Sequence, residues 1–247
     1  MHQIDQIYID SAFVTPHGSE WADLHNPSTE AVIGRVRLGD AEDARAAISA
    51  AKRAFPLWSR TSKADRIDLL HRLHKAVAAS ASAQFAALQE EYGAPSAFGD
   101  WLAKAAGNAF LEAANTLENY EFERSIGKTQ VVMQPLGVVA AITPWNANAF
   151  FLCGKLATAI AAGCTVVLKP SEMSALQTQV LVEALHEAGA PPSLFNIVNG
   201  RGGRGGRRVQ RASRRCQAHF YGVDCCRTFD HDRRCPDHEA RHARTRR

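Results

Sequence analysis

The segment Cys235–His242, CPDHEARH, spaces a cysteine and two histidines as a zinc site does, and residues 201–247 hold four cysteines and four histidines in all. Zinc modules bind through paired ligands at short fixed spacings and gather a few apolar residues round the metal. That core is missing here: the larger apolar residues of 201–247 are only Val209, Phe220, Tyr221, Val223 and Phe229. These are ligand-type residues without a site, and no metal is expected. A second pattern, G-x-G-x-x-G at Gly200, Gly202 and Gly205 with Asp224 downstream, has the spacing of a dinucleotide fingerprint. It is discounted, because an Arg-rich, Leu-free run follows where a packed helix should begin. Cys153 lies within a helical pattern and Cys164 at the start of a strand pattern. Both read as small core residues rather than nucleophiles.

Charge divides the chain. Residues 201–247 carry 14 Arg, no Lys and 5 acidic residues, a balance of +9 against +4 for the whole chain, which leaves −5 on residues 1–200. The basic character belongs to the tail alone, and such a tail has too little apolar content to order itself. Arg with no Lys is also what GC-rich codons give when read out of frame. No run reaches the roughly 18–20 apolar residues of a membrane span. The opening MHQIDQIYID lacks the basic and apolar regions of a secretory signal. A cytoplasmic protein with reduced thiols is expected.

Residues 1–200 alternate strand and helix patterns. Tyr8–Val14 and Ala31–Leu38 alternate as strands, and Asp40 can cap a helix whose apolar face is Ala44, Ala47, Ile48, Ala51, Ala54 and Phe55. Helical stretches follow over about 63–92 and 96–119, with a strand at Lys128–Gln134 inside a hairpin of about 123–136. From Gly137 the signal sharpens. GVVAAI and CTVVLKP are apolar runs separated by a helix over Ala147–Ala162, which stops at Gly163. Ser174 and Gln177 have the spacing of a capping box. The helix they open ends at Gly189, and LFNIVNG is a third strand. Gly137–Gly200 is therefore an α/β unit, βαβαβ, with parallel right-handed connections: an incomplete Rossmann-like sheet preceded by a helical segment.

The residues PLGVVAAITPWN, then VVLKPSE with Lys169 placed 23 residues after Asn146, then LFNIVNG, resemble the aldehyde dehydrogenase superfamily. The resemblance covers about residues 6–203, the amino-terminal portion, and divides the chain into a partial NAD(P)-binding domain over 1–203 and an unstructured tail over 204–247. It implies NAD(P)-dependent oxidation of an aldehyde to a carboxylic acid through a cysteine thiohemiacetal. Asn146 would then donate its side-chain amide to the oxyanion, which needs a donor in place before it forms. Read without the resemblance, Asn146 caps the following helix.

Ile142, Thr143, Pro144 and Trp145 would line the cofactor cleft, Trp145 otherwise being packing. Lys169, Ser171, Glu172 and Gly200 would bind the nucleotide, with Lys169 donating to the adenosine ribose and Glu172 accepting from it. Taken alone, Lys169 and Glu172 read as a solvated loop. Glu172 would repel a 2′-phosphate, favouring NAD over NADP. Lys155 matches a proton-relay lysine of some relatives, or is a helix lysine whose head reaches solvent. The partners implied are a small-molecule aldehyde and, for intact relatives, further copies of themselves, with no membrane and no nucleic acid. Two other readings stand beside this one: a truncated partner or regulator of a full-length relative, and a nucleic-acid binder acting through its basic tail.

The nucleophilic cysteine and general-base glutamate that the family places further on are absent from this reading frame, and the chain as written is expected to be inactive. Shifting the tail by one base permits FTGST over Phe220–Asp224 and a TLELGG run ending at Arg247. CPDHEARH then becomes the out-of-frame shadow of an ordinary segment. Sequencing the gene checks this: from codon 204 onward the plus-one frame should spell FTGST and then TLELGGK. Wobble bases that spell neither motif would make the tail a genuine basic extension.

Overall fold

The computed structural model describes residues 1–201 and the backbone of one further strand, Gln217–Phe220. Strand β1 (His2–Ile4) is followed by β2 (Ile7–Ile9) and β3 (Ala12–Val14), which pair antiparallel. Tyr8–Val14 is thus two strands rather than one, because Asp10 and Ser11 take φ of 55° and 62° and reverse the chain. Asp10 tolerates this left-handed turn since its polar groups find partners. Its N–H donates to Asn196 Oδ1 at 2.9 Å, and its carboxylate accepts from Arg53 and Ser193.

Strands β4 (Trp21–His25) and β5 (Val32–Arg37) complete a three-stranded sheet in the order β1-β5-β4. Helix α1 (Ala41–Trp58) starts as expected at Asp40, which forms a capping box with Asp43. The stretch read as one helix over 63–92 is two, α2 (Lys63–Ala79) and α3 (Ala81–Glu91). They part at Ser80, whose hydroxyl bonds back to the Val77 carbonyl at 2.9 Å and competes with helix continuation. Helix α4 (Ser96–Asn119) is followed by an exposed hairpin of β6 (Glu123–Ile126) and β7 (Thr129–Val132).

The expected βαβαβ unit is present: β8 (Val138–Ile142), α5 (Asn148–Ala161), β9 (Thr165–Lys169), α6 (Ala175–Glu187) and β10 (Phe195–Ile197), its three strands all parallel. β2 and β3 extend the sheet antiparallel beyond β10. On the other side, β11 (Gln217–Phe220) lies parallel to β8, giving the order β11-β8-β9-β10-β2-β3. The edge of β8 is therefore paired. Of the tail expected to be unstructured, this strand alone is described. Gly202, Gly205, Cys235–His242 and the remaining tail residues lie outside the described residues.

Alternating side chains build two apolar layers. Val138, Ala140 and Val167 pack with Ile7, Ile9 and the small face of α1 (Ala44, Ala47, Ile48, Ala51). Ala141, Val166, Leu168 and Phe195 face the other way, onto α5 and α6, with α2 and α4 packed behind them through Leu70, Leu73, Phe110 and Ala114. Cys153 and Cys164 sit in this second layer, as their pattern suggested. No helix among the described residues is long and apolar enough to cross a membrane.

After α5 the chain turns through Gly163 at φ 79°, against the buried guanidinium of Arg66. Arg66 ties this turn to the start of α2, donating to the carbonyls of Ser59 and Ala161 at 3.0 and 3.3 Å. A Cβ on Gly163 would come within 2.6 Å of that guanidinium in a conformation L-residues avoid. Gly163→Ala should lower the unfolding free energy by about 1–3 kcal/mol. The check is a lower urea midpoint at an unchanged m-value.

Candidate active site

The chain runs outward from β8 to β9 to β10, then returns to the far side of β8 as β11. In open α/β sheets ligands bind at the carboxyl ends of the strands where the winding direction reverses. Here that point is the carboxyl end of β8, where Ile142, the last strand residue, is in register with Lys169 at the end of β9. One residue on, the Thr143 N–H donates to the Lys169 carbonyl at 3.2 Å. Both segments predicted to hold the site therefore start side by side.

From Thr143 the chain makes the turn TPWNAN. Pro144 is half-buried, and Trp145 is exposed with its ring edge-on to Tyr92 at 5.3 Å. Asn146 is half-buried, and its side-chain amide makes no hydrogen bond among the described residues. It does not cap α5. The capping position belongs to Ala147, at φ 54° and ψ 38°, and no side chain caps the helix. A left-handed alanine is costly, and it is held by burial among Leu88, Ala94, Leu102 and Ala103. This turn leaves the Asn146 amide free to donate.

The next residue, Asn148, is fully buried and fixes the turn from behind. Its Oδ1 accepts from the Thr143 hydroxyl, and its Nδ2 donates to Thr178 Oγ1 at 2.8 Å. Thr178 in turn donates to the Ser174 carbonyl at 2.8 Å.

Lys169 is 2% exposed, so the solvated-loop reading fails for it. Its ammonium donates to the carbonyls of Pro170 and Gly200, and Glu172 Oε2 lies 3.8 Å away. Gly200, distant in sequence, is thus brought onto Lys169. Ser171 opens the 3-10 turn Glu172–Ser174, its hydroxyl accepting from the Met173 N–H at 3.3 Å. Lys155 is half-buried on α5, and burial pulls its ammonium below the usual lysine range.

The expected Ser174–Gln177 capping box does not form. The Ser174 hydroxyl donates instead to the Ser171 carbonyl at 3.0 Å. Gln177 turns inward, and the N-terminus of α6 is capped by a residue from another helix, Glu91. Its carboxylate accepts from the N–H groups of Leu176 and Gln177 at 2.9 and 3.1 Å and from Gln177 Nε2 at 3.3 Å. Burial nonetheless dominates, raising the Glu91 carboxyl from 4.5 to about 7 against the lowering effect of those donors. Glu91, Asn148 and Thr178 escaped the sequence reading. For Asn148 a signal existed, a second asparagine two residues after Asn146, whereas Glu91 lies 85 residues from Leu176 with no local mark.

The site thus presents one amide donor at a winding reversal, beside a buried ammonium and a carboxylate one turn apart. The sequence profile of the aldehyde dehydrogenase family matches residues 13–222, ending beyond the motif-based limit of 203. The chain belongs to the aldehyde dehydrogenase family.

A 3-succinoylsemialdehyde-pyridine dehydrogenase of a Pseudomonas species is 42% identical over 204 residues, covering 82% of this chain and 43% of that protein. Aldehyde dehydrogenase C of Pseudomonas syringae, solved with NAD+ and octanal, superposes with a TM-score of 0.79 at 36% identity, over 85% of this chain and 43% of that one. An aldehyde dehydrogenase of Bartonella henselae superposes with a TM-score of 0.85 at 28% identity, over 89% and 47%. The chain spans less than half the length of these relatives, and its fold is a part of the family's fold.

Glu91 holds its proton in the folded state up to about pH 7, whereas an exposed glutamate releases it near 4.5. Its contribution to stability is therefore fully present below pH 4.5 and is lost as pH rises towards and through 7. At about 1.4 kcal/mol per pKa unit the loss is on the order of 3 kcal/mol. Glu91→Gln should flatten that part of the stability profile, as measured by urea unfolding between pH 4.5 and 8.

Proposed function

We propose that this chain is the nucleotide- and oxyanion-binding part of an NAD-dependent aldehyde dehydrogenase, and that in its present reading frame it does not turn over. The observation that carries the first half is the pairing of Lys169 with Glu172 at the carboxyl end of β9, next to the Asn146 turn. A buried ammonium and a carboxylate 3.8 Å apart offer a donor and an acceptor, which is what two vicinal ribose hydroxyls require. The residues fit a nicotinamide dinucleotide. Bound there, NAD would supply the hydride acceptor. Lys169 and Glu172 would hold the ribose, Ser171 and Gly200 would shape the loop round it, and Ile142, Thr143, Pro144 and Trp145 would wall the cleft.

A carboxylate facing the ribose disfavours a 2′-phosphate, which supports NAD over NADP. Asn146 would donate to the oxyanion, since its amide has no competing partner among the described residues. Lys155, with its ammonium already destabilised by burial, suits a proton relay.

The second half rests on the thiols. Cys153 is fully buried and burial pushes its thiol up, away from the thiolate that a nucleophile needs. Cys164 is also buried. The family's nucleophile and general base would lie in the displaced frame.

One observation favours a second role, assembly with another family member. The hairpin β6–β7 and the segment after it expose Ile126, Val132, Met133 and Leu136, an apolar surface unusual for a free hairpin.

Calorimetric titration tests the nucleotide reading. NAD should bind more tightly than NADP, and Lys169→Ala should weaken NAD by about tenfold or more, the loss of a hydrogen bond from a charged donor. Glu172→Gln should narrow the NAD-to-NADP difference. Equal NAD affinity in Lys169→Ala, or aldehyde-dependent NADH formation that survives Asn146→Ala, would count against it.

A further inference from the structure

The first turn of α6 is where the two halves of the site meet. Through Ser174 it holds the Ser171 carbonyl, and through Thr178 it holds Asn148 behind the TPWNAN turn. Through Gln177, whose Nε2 lies 3.5 Å from the Trp145 carbonyl, it reaches the residue immediately before Asn146. The same Nε2 is held by Glu91 Oε2 at 3.3 Å. Gln177 is fully buried, its Oε1 has no partner among the described residues, and the two N–H groups of its amide are set between the Glu91 carboxylate and the Trp145 carbonyl. From these contacts we infer that Glu91 is a positioning residue for the oxyanion turn, acting through Gln177 on the Trp145 carbonyl. This rests on the reading of Asn146 as the oxyanion donor.

The physical argument is a division of labour at a helix start. The N–H groups that open α6 lack partners inside the helix, and an anion there is stabilised by the helix dipole. Ser174 stands at the capping position, but its hydroxyl donates to the Ser171 carbonyl and leaves these N–H groups to another partner. A glutamate from the end of α3 satisfies them from outside and orients Gln177 at the same time. When Glu91 is ionised both oxygens accept, one from Leu176 and the other from the Gln177 backbone and side chain. When it is protonated one oxygen becomes a hydroxyl, its hold on Gln177 weakens, and the amide is freer to close on the Trp145 carbonyl from 3.5 Å.

Few other charges bear on this carboxyl. From its own helix, Glu90 is held by His2 of β1 at 3.1 Å. On α6, Glu183 accepts from Gln179 at 2.6 Å. On α4, Asp100 pairs with Lys104 at 2.7 Å, and Glu172 of the 3-10 turn lies by Lys169. Tyr92, next to Glu91, sets its ring edge-on to Trp145 at 5.3 Å.

Incorporating 5-fluorotryptophan into the full chain gives four reporters, Trp21, Trp58, Trp101 and Trp145, with Trp145 assigned from Trp145→Phe. Between pH 5.5 and 8.5 the Trp145 fluorine resonance should shift with a midpoint near the Glu91 value of about 7, while Trp21 and Trp58 stay constant. The Trp145 shift should vanish in Glu91→Gln. It should also vanish in Gln177→Met, although Glu91 still titrates there, as seen in a retained pH dependence of stability. A Glu91 that merely caps α6 would leave the Gln177→Met shift intact. A flat Trp145 resonance in the unmodified chain, or one that titrates unchanged in either variant, overturns the inference. If Glu91→Gln fails to fold, Gln177→Met decides alone. No nucleotide or aldehyde enters this experiment, so its failure is distinguishable from failure of NAD to bind.

Discussion

A parallel strand that ends at a ligand site leaves its backbone facing a cavity, and something must hold the turn that follows without filling that cavity. In this protein the holding is done by the first turn of α6. Its backbone, Ser174, Gln177 and Thr178 reach three places at once: the loop after β9, the turn after β8, and the end of α3. Asn148 and Thr143 complete the network, every bond of which is buried or nearly so. Buried hydrogen bonds of this kind add modestly to net stability, but leaving one member unpaired is expensive. The turn therefore has one well-determined geometry. Within it, the Asn146 amide makes no hydrogen bond among the described residues, as the proposed oxyanion donor requires.

The elements legible in the sequence were those whose cause is local. Asp40 with Asp43 marks the start of α1, the apolar runs after Gly137 and at Cys164 mark parallel strands buried on both faces, and Gly163 marks the end of α5. Misreadings arose where cause and effect are far apart. The Asp10–Ser11 turn is stabilised by Asn196 and Ser193 across the sheet, so alternation through Tyr8–Val14 suggested one strand where there are two. Ser174 and Gln177 have capping-box spacing, yet Glu91 takes the capping role because α3 ends against α6. The sequence offered Asn146 as an oxyanion donor by resemblance and, without it, as a helix cap. The left-handed Ala147 removes the capping reading, by taking the capping position itself. The site residues Lys169, Glu172 and Gly200 were named through resemblance, and their approach to one another is a tertiary fact that spacing alone could not supply.

The two described cysteines show why composition is a poor guide to reactivity. Both lie within a few residues of the site in sequence, yet both are packed in the layer between sheet and helices. For Cys153 burial raises the thiol and keeps it neutral, since ionising it would place a charge where nothing solvates it. Proximity to an oxyanion donor cannot compensate, because attack requires the thiolate. Under the proposed reading the described part offers a buried ammonium beside a carboxylate and an amide donor, while both of its cysteines are buried.

Strand β11 bears on what a sheet demands of its members. A parallel ladder is built from backbone groups, and Gln217–Phe220 satisfies the edge of β8 in continuous register from Val139 to Ile142. Under the proposed displaced frame the same four positions would read Lys-Leu-Ile-Phe, a sequence with the apolar content of a buried strand. The visible one, Gln-Ala-His-Phe, shares only Phe220. Backbone pairing tolerates that exchange. The position beside β8 is thus set by the winding of the sheet and its backbone ladder rather than by which side chains the strand carries.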